Sequence, residues 1–136
     1  MKLTSLIFFF ILITTDSIAK KIFDAKFFEL KNGLKVIVIE NKRAPVVAQM
    51  IWYKFGSGVE ENGKSGLAHF MEHLMFKGTK KFPDSYYSNF ISRIGGSENA
   101  FTSYDYTAYY QVFPKYELEK IMQMESDRMI NLTLSK

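Results

Sequence analysis

The chain has 136 residues, a net charge of +4, 47% hydrophobic and 16% aromatic residues, and no cysteine. This composition excludes a disordered polymer, and the length suits one small domain or part of a larger one. Without cysteine there are no disulfides, thiolate metal ligands or cysteine nucleophiles, and the dispersed basic residues form no arginine-rich stripe that would mark a nucleic-acid binder.

The first residues carry one basic side chain, Lys2, then an apolar run over 7–13, then Thr14-Thr15-Asp16 and the small-x-small exit Ser17-Ile18-Ala19. This pattern predicts a signal peptide over 1–19 and a mature segment over 20–136, exported to a periplasm or secreted. The apolar run falls short of the roughly 20 residues a membrane span needs, so the membrane is a partner only if the signal stays uncleaved.

Residues 26–30 and 34–39 are apolar runs separated by Lys31-Asn32-Gly33, a hairpin signal because Asn-Gly tolerates positive φ. A third strand is expected over 46–55, rich in β-branched and aromatic residues, and Gly56-Ser57-Gly58 ends it. Ser65 is the expected cap of a helix running from Gly66 or Leu67 to about Lys77, stopped by Gly78. On that helix Leu67, Phe70, Met71 and Leu74 share an arc that should face the core, while His69, Glu72, His73 and Phe76 take roughly the opposite arc.

A second helix should start at Pro83-Asp84-Ser85 and stop at Gly95-Gly96, with Tyr87, Phe90, Ile91 and Ile94 as its apolar positions. Strands follow over 97–102 and 106–113, and Pro114 opens a last helix with Leu118, Ile121, Met122 and Met129 at helical spacing. Three strands, two helices, two strands and a helix predict an α+β domain, a mixed sheet packed against helices. Asn131-Leu132-Thr133 matches a glycosylation acceptor, which has meaning only in a eukaryotic secretory pathway.

Both histidines of the chain fall in one pentapeptide, His69-Phe70-Met71-Glu72-His73. Helix positions three and four apart share a face, so His69 and His73 can offer two imidazoles to one zinc ion with the Glu72 carboxylate beside them. Zinc lowers the pKa of bound water to about 7, and an adjacent carboxylate can shuttle the proton. Single helical histidines are more often surface residues. The joint placement of two histidines and an intervening glutamate after a glycine-rich turn favours the metal reading.

The order His-x-x-Glu-His is the inverzincin motif. Together with Trp52-Tyr53-Lys54-Phe55-Gly56-Ser57-Gly58, Glu60-Glu61, the stretch from Gly66 to Thr79, Gly95-Gly96, Asn99-Ala100-Phe101-Thr102 and Asp105-Tyr106-Thr107-Ala108-Tyr109-Tyr110, it resembles the pitrilysin or insulinase-type zinc peptidases, the group that includes mitochondrial processing peptidase. The resemblance runs from about Phe27 to the end. It implies one zinc ion held by His69 and His73, Glu72 as catalytic base, and the strand of Asn99, Ala100, Phe101 and Thr102 as the edge that pairs with an extended peptide substrate.

In that family a third ligand, a glutamate, lies in a later helix, beyond Lys136 here; Glu98, Glu117, Glu119 and Glu125 do not occupy its position. Members also carry a second, similar domain that closes over the cleft. The resemblance therefore implies about half of one pitrilysin-type domain, the N-terminal part of a longer endopeptidase, with a further domain or subunit as the partner that completes the ligand set. The alternative is a truncated, catalytically incomplete remnant. A lyase acting on S-ribosylhomocysteine shares the motif, but it depends on cysteine chemistry in the cytoplasm, which the cysteine-free sequence and the export signal disfavour.

Overall fold

The computed structural model describes residues 24–134 and shows the α+β order expected from the sequence. The expected signal peptide lies outside the described residues. The chain divides after Lys42 into two compact units.

In the first unit, β1 (Ala25–Glu29) and β2 (Lys35–Ile39) form an antiparallel hairpin with Ala25 opposite Ile39 and Glu29 opposite Lys35. The Gly33 N–H donates to the Leu30 carbonyl at 2.8 Å, and the Leu34 N–H donates to Asn32 Oδ1 at 3.2 Å. Of the Asn-Gly pair only Gly33 takes positive φ, at 83°. Asn32 serves the turn through its side chain instead.

The second unit is built on a sheet of β3 (Val46–Tyr53), β4 (Ser97–Thr102) and β5 (Thr107–Pro114) in the order β3-β5-β4, all antiparallel. The expected mixed sheet thus resolves, among the described residues, into two antiparallel sheets. Along β3 the side chains alternate: Val47, Gln49, Ile51 and Tyr53 are half-buried while Val46, Ala48, Met50 and Trp52 are exposed. The helices are α1 (Leu67–Leu74), continued by a 3-10 turn over Met75–Lys77, α2 (Tyr86–Arg93) and α3 (Leu118–Asn131). Phe82, Tyr87, Ile91, Phe113, Ile121 and Met124 form the buried core, with Val47, Phe90 and Ile94 packed against it.

Three expectations are corrected here. In α1, Leu67 and Phe70 are exposed, and the buried residues are Ala68 and Glu72. The helix lies against β4, where the small Ala68 allows close approach and Glu72 finds a hydrogen-bond donor, so contact geometry and not hydropathy selects the inner face. In α3, Ile121 is buried as expected, but Met122 and Met129 are exposed and the inner face holds Met124, Glu125 and Arg128. Finally, Pro114 ends β5 opposite Val46 instead of opening the helix, which starts at Leu118 after a 3-10 turn over Lys115–Glu117. A proline at the last residue of a strand forfeits little of the ladder.

Two buried charges on α3 need partners, and they have them. Arg128 Nη2 donates to Glu125 Oε2 at 2.6 Å, and the same oxygen accepts from the Tyr87 hydroxyl at 3.2 Å and from Gln111 Nε2 at 3.4 Å. The guanidinium lies over the rings of Tyr109, Tyr87 and Phe76, at 4.7, 5.1 and 5.7 Å from their centroids. Burial works against the charge on Arg128, but the Glu125 carboxylate more than offsets it and holds its pKa above the ordinary arginine value. Burial, reinforced by the Glu125 charge, pushes the Tyr53 hydroxyl up to about 12.

Candidate active site

Helix α1 carries His69, Glu72 and His73 on one arc, with the two histidines exposed and Glu72 buried at its β4 edge. The imidazoles are exposed, with Nε2 of His73 3.2 Å from Nε2 of His69 and ring centroids 4.7 Å apart. Two nitrogens each about 2.0–2.1 Å from a tetrahedral zinc stand roughly 3.3 Å apart, so this pair is spaced as two ligands of one ion. Among the described residues no group of three or more His, Asp or Glu side chains is placed to hold a metal. The donor set fits zinc: two imidazole nitrogens at ligand spacing on exposed side chains.

Glu72 is buried on the β4 side, and its Oε2 accepts from the Thr102 hydroxyl at 2.5 Å. Behind Thr102, the Thr107 hydroxyl donates to the Phe55 carbonyl at 2.9 Å. Because Thr102 is the last residue of β4, this bond ties the carboxylate to the strand expected to pair with substrate. β4 is an edge of its sheet among the described residues. Ala100 and Thr102 are half-buried toward the helices, while Asn99 and Phe101 are exposed on the other face. Asn99 Oδ1 accepts from the Ala100 N–H at 2.9 Å. The four residues Asn99 to Thr102 therefore do not form one pocket: Thr102 touches Glu72, and Phe101 packs edge-on against Trp52 at 5.9 Å.

Sequence reasoning missed the residue that caps α1. Ser65 is not the cap; the N-cap is Gly66, at φ 91°, which has no side chain to offer. Glu60 supplies the acceptors, taking the Gly66 N–H on Oε2 at 2.9 Å and the Ala68 N–H on Oε1 at 2.8 Å. A glutamate six residues ahead of an uncapped glycine was the available signal, yet a cap from that distance depends on a loop path that spacing does not reveal. Hydrogen bonds from Ala68 and then Gly66 hold the Glu60 carboxyl below its ordinary value of 4.5. A depressed folded-state pKa means that the cap contributes fully at neutral pH, down to the ordinary carboxylate range. The contribution is lost as pH falls through the depressed value. A carboxyl NMR titration is expected to give Glu60 a midpoint below 4.5, with α1 loosening at the same pH; a midpoint at or above that value would contradict the cap.

With this geometry in place, comparison with known proteins identifies the group. The family model "Insulinase (Peptidase family M16)" matches residues 35–136. The chain belongs to that family. It is 38% identical to the zinc protease PqqE of Helicobacter pylori over 109 residues, which is 79% of this chain and 24% of that protein. It is 35% identical to the beta subunit of the mitochondrial-processing peptidase of Blastocladiella emersonii over 105 residues, covering 77% of this chain and 23% of the subunit. The crystal structure of a protease from Helicobacter pylori superposes with a TM-score of 0.78 at 37% identity, over 82% of this chain and 27% of that one. This chain thus spans about a quarter of the length of these M16 relatives, and the part it spans holds the two-histidine helix.

Proposed function

We propose that this chain supplies the His69–Glu72–His73 half of the catalytic centre of an exported zinc-dependent endopeptidase. The observation that carries the reading is the 3.2 Å separation of the two Nε2 atoms on α1, with the intervening Glu72 held toward β4 by Thr102. In this reading His69 and His73 are two zinc ligands, and the third comes from a further segment or subunit. The M16 relatives support both parts: one is named a zinc protease, and another is a subunit of a larger enzyme.

When bound, zinc supplies the Lewis acidity that makes water a nucleophile near neutral pH. The chain's own residues do the rest. Glu72 takes the water proton and returns it to the leaving amine of the scissile bond. Thr102 engages one carboxylate oxygen, Oε2, which leaves Oε1 as the oxygen to take the proton. An extended peptide adds to the edge that β4 forms among the described residues, which brings its backbone beside Glu72 through main-chain hydrogen bonds, a mode that would give broad peptide specificity. Residues 1–19 direct the protein out of the cytoplasm.

The competing reading, an incomplete remnant, is separated by metal analysis and peptide cleavage on the product of the complete coding frame. One zinc per chain, lost on His69→Ala, and cleavage of an unfolded peptide that stops with chelator are expected. A protein that retains both histidines yet binds no zinc and cleaves nothing would establish the remnant.

A further inference from the structure

The helix that carries both histidines is short, eight residues, and begins on a glycine without a side chain to cap it. Its first turn depends on Glu60, which spends both carboxylate oxygens on the N–H groups of Gly66 and Ala68. Ala68 immediately precedes His69. A carboxylate at a helix N-terminus also lies favourably in the helix dipole.

Glu60 is itself held. It follows the 3-10 turn Ser57–Val59, in which the Ser57 N–H donates to the Ser103 carbonyl at 3.0 Å and the Gly58 N–H to the Tyr104 carbonyl at 2.7 Å. Gly56, just before the turn, is packed so tightly that a Cβ there would meet the Ser103 carbonyl, the Tyr104 carbonyl at 2.6 Å and the Tyr106 nitrogen at 2.6 Å. Ser103, Tyr104 and Tyr106 belong to the loop between β4 and β5, whose own ends are closed by Ser103 N–H donating to the Tyr106 carbonyl at 2.8 Å. A continuous chain of backbone contacts therefore leads from the end of the β4 strand, through the 57–59 turn and the Glu60 carboxylate, to the turn of α1 that bears His69.

We propose that Glu60 is a positioning residue, fixing the first turn of α1 so that His69 is kept at chelating distance from His73 and in register with β4. Its consequence for catalysis rests on the zinc-peptidase reading above; the placement of the imidazoles does not. Glu60 is half-buried and lies outside the hydrophobic core cluster, so its replacement leaves the core intact.

The test uses Ni2+, which takes imidazole ligands, as a probe of the histidine pair. Calorimetric Ni2+ affinity and amide hydrogen exchange are measured on the unsubstituted chain, Glu60→Gln and Glu60→Ala. Glutamine has nearly the same shape but one acceptor oxygen and no charge, so it is expected to behave like alanine. Both variants are expected to lose about tenfold in Ni2+ affinity, with faster exchange in α1 and unchanged exchange in β3 and β5. Unchanged Ni2+ affinity in both variants overturns the proposal, even if α1 exchanges faster, because the cap would then be merely structural. Full affinity in Glu60→Gln, or no Ni2+ binding by the unsubstituted chain, overturns it as well. No zinc-dependent cleavage by the unsubstituted complete protein, with the Ni2+ results as expected, would instead count against the peptidase reading and leave the placement of the imidazoles by Glu60 standing.

Discussion

Arg128→Met is expected to cost about 3–5 kcal/mol of folding stability, a large share of what a domain of this size possesses. The substitution removes, among the described residues, the only donor with a full charge from Glu125, whose side chain is 3% exposed, and leaves that carboxylate buried without a counter-ion; it also takes the guanidinium from over the rings of Phe76, Tyr87 and Tyr109. Tyr87 and Gln111 still donate to Glu125 Oε2, but two neutral donors do not replace a guanidinium 2.6 Å away. The double variant Glu125→Leu/Arg128→Met should recover most of the loss, because a well-packed apolar pair is often as stable as a buried ion pair. Urea unfolding of the two variants checks both statements. An unchanged midpoint for Arg128→Met alone would show that the pair carries no stability.

Glu72→Gln, in the complete peptidase, is expected to lower kcat by roughly 10²–10⁴-fold while zinc content stays at the wild-type level. Glutamine preserves the shape and can still accept from Thr102, so the helix and the two imidazoles remain as they are. What it removes is the ability to take a proton. Stopped-flow or steady-state cleavage of an unfolded peptide, paired with metal analysis, separates this from a structural failure. Retained turnover would remove Glu72 from the role of base, and lost zinc would mean that the carboxylate acts on the metal site itself.

Most elements were readable in the sequence because turn chemistry and strand composition act locally. Gly33, Gly78 and Gly95 each take positive φ where a turn or helix stop was expected, and Ile91 and Ile121 pack where helical spacing put them. The faces of α1 and α3 were less readable. Periodicity scores a face by its hydropathy, and both helices bury their polar members instead: Glu72 against Thr102, and Glu125 with Arg128 among the rings. Only the partner decides whether such a residue goes inside, and the partners lie on other elements, up to 38 residues away in the case of Tyr87 and Glu125. The histidine pair was legible because its geometry is set within one helical turn. The Glu60 cap was not, because it depends on the fold of the loop before the helix.

An open strand edge invites other copies of the same chain as readily as any substrate, and β4 carries its own guard against that. Asn99 folds its side chain back onto the Ala100 N–H, so one of the strand's backbone donors is already occupied by a neighbour. Exposed edges that lack such blocking are templates for aggregation. The consequence is a selectivity of a different kind from that of a binding pocket. Any extended chain seeking that donor must first displace the amide, which discourages casual strand pairing during folding and at high concentration.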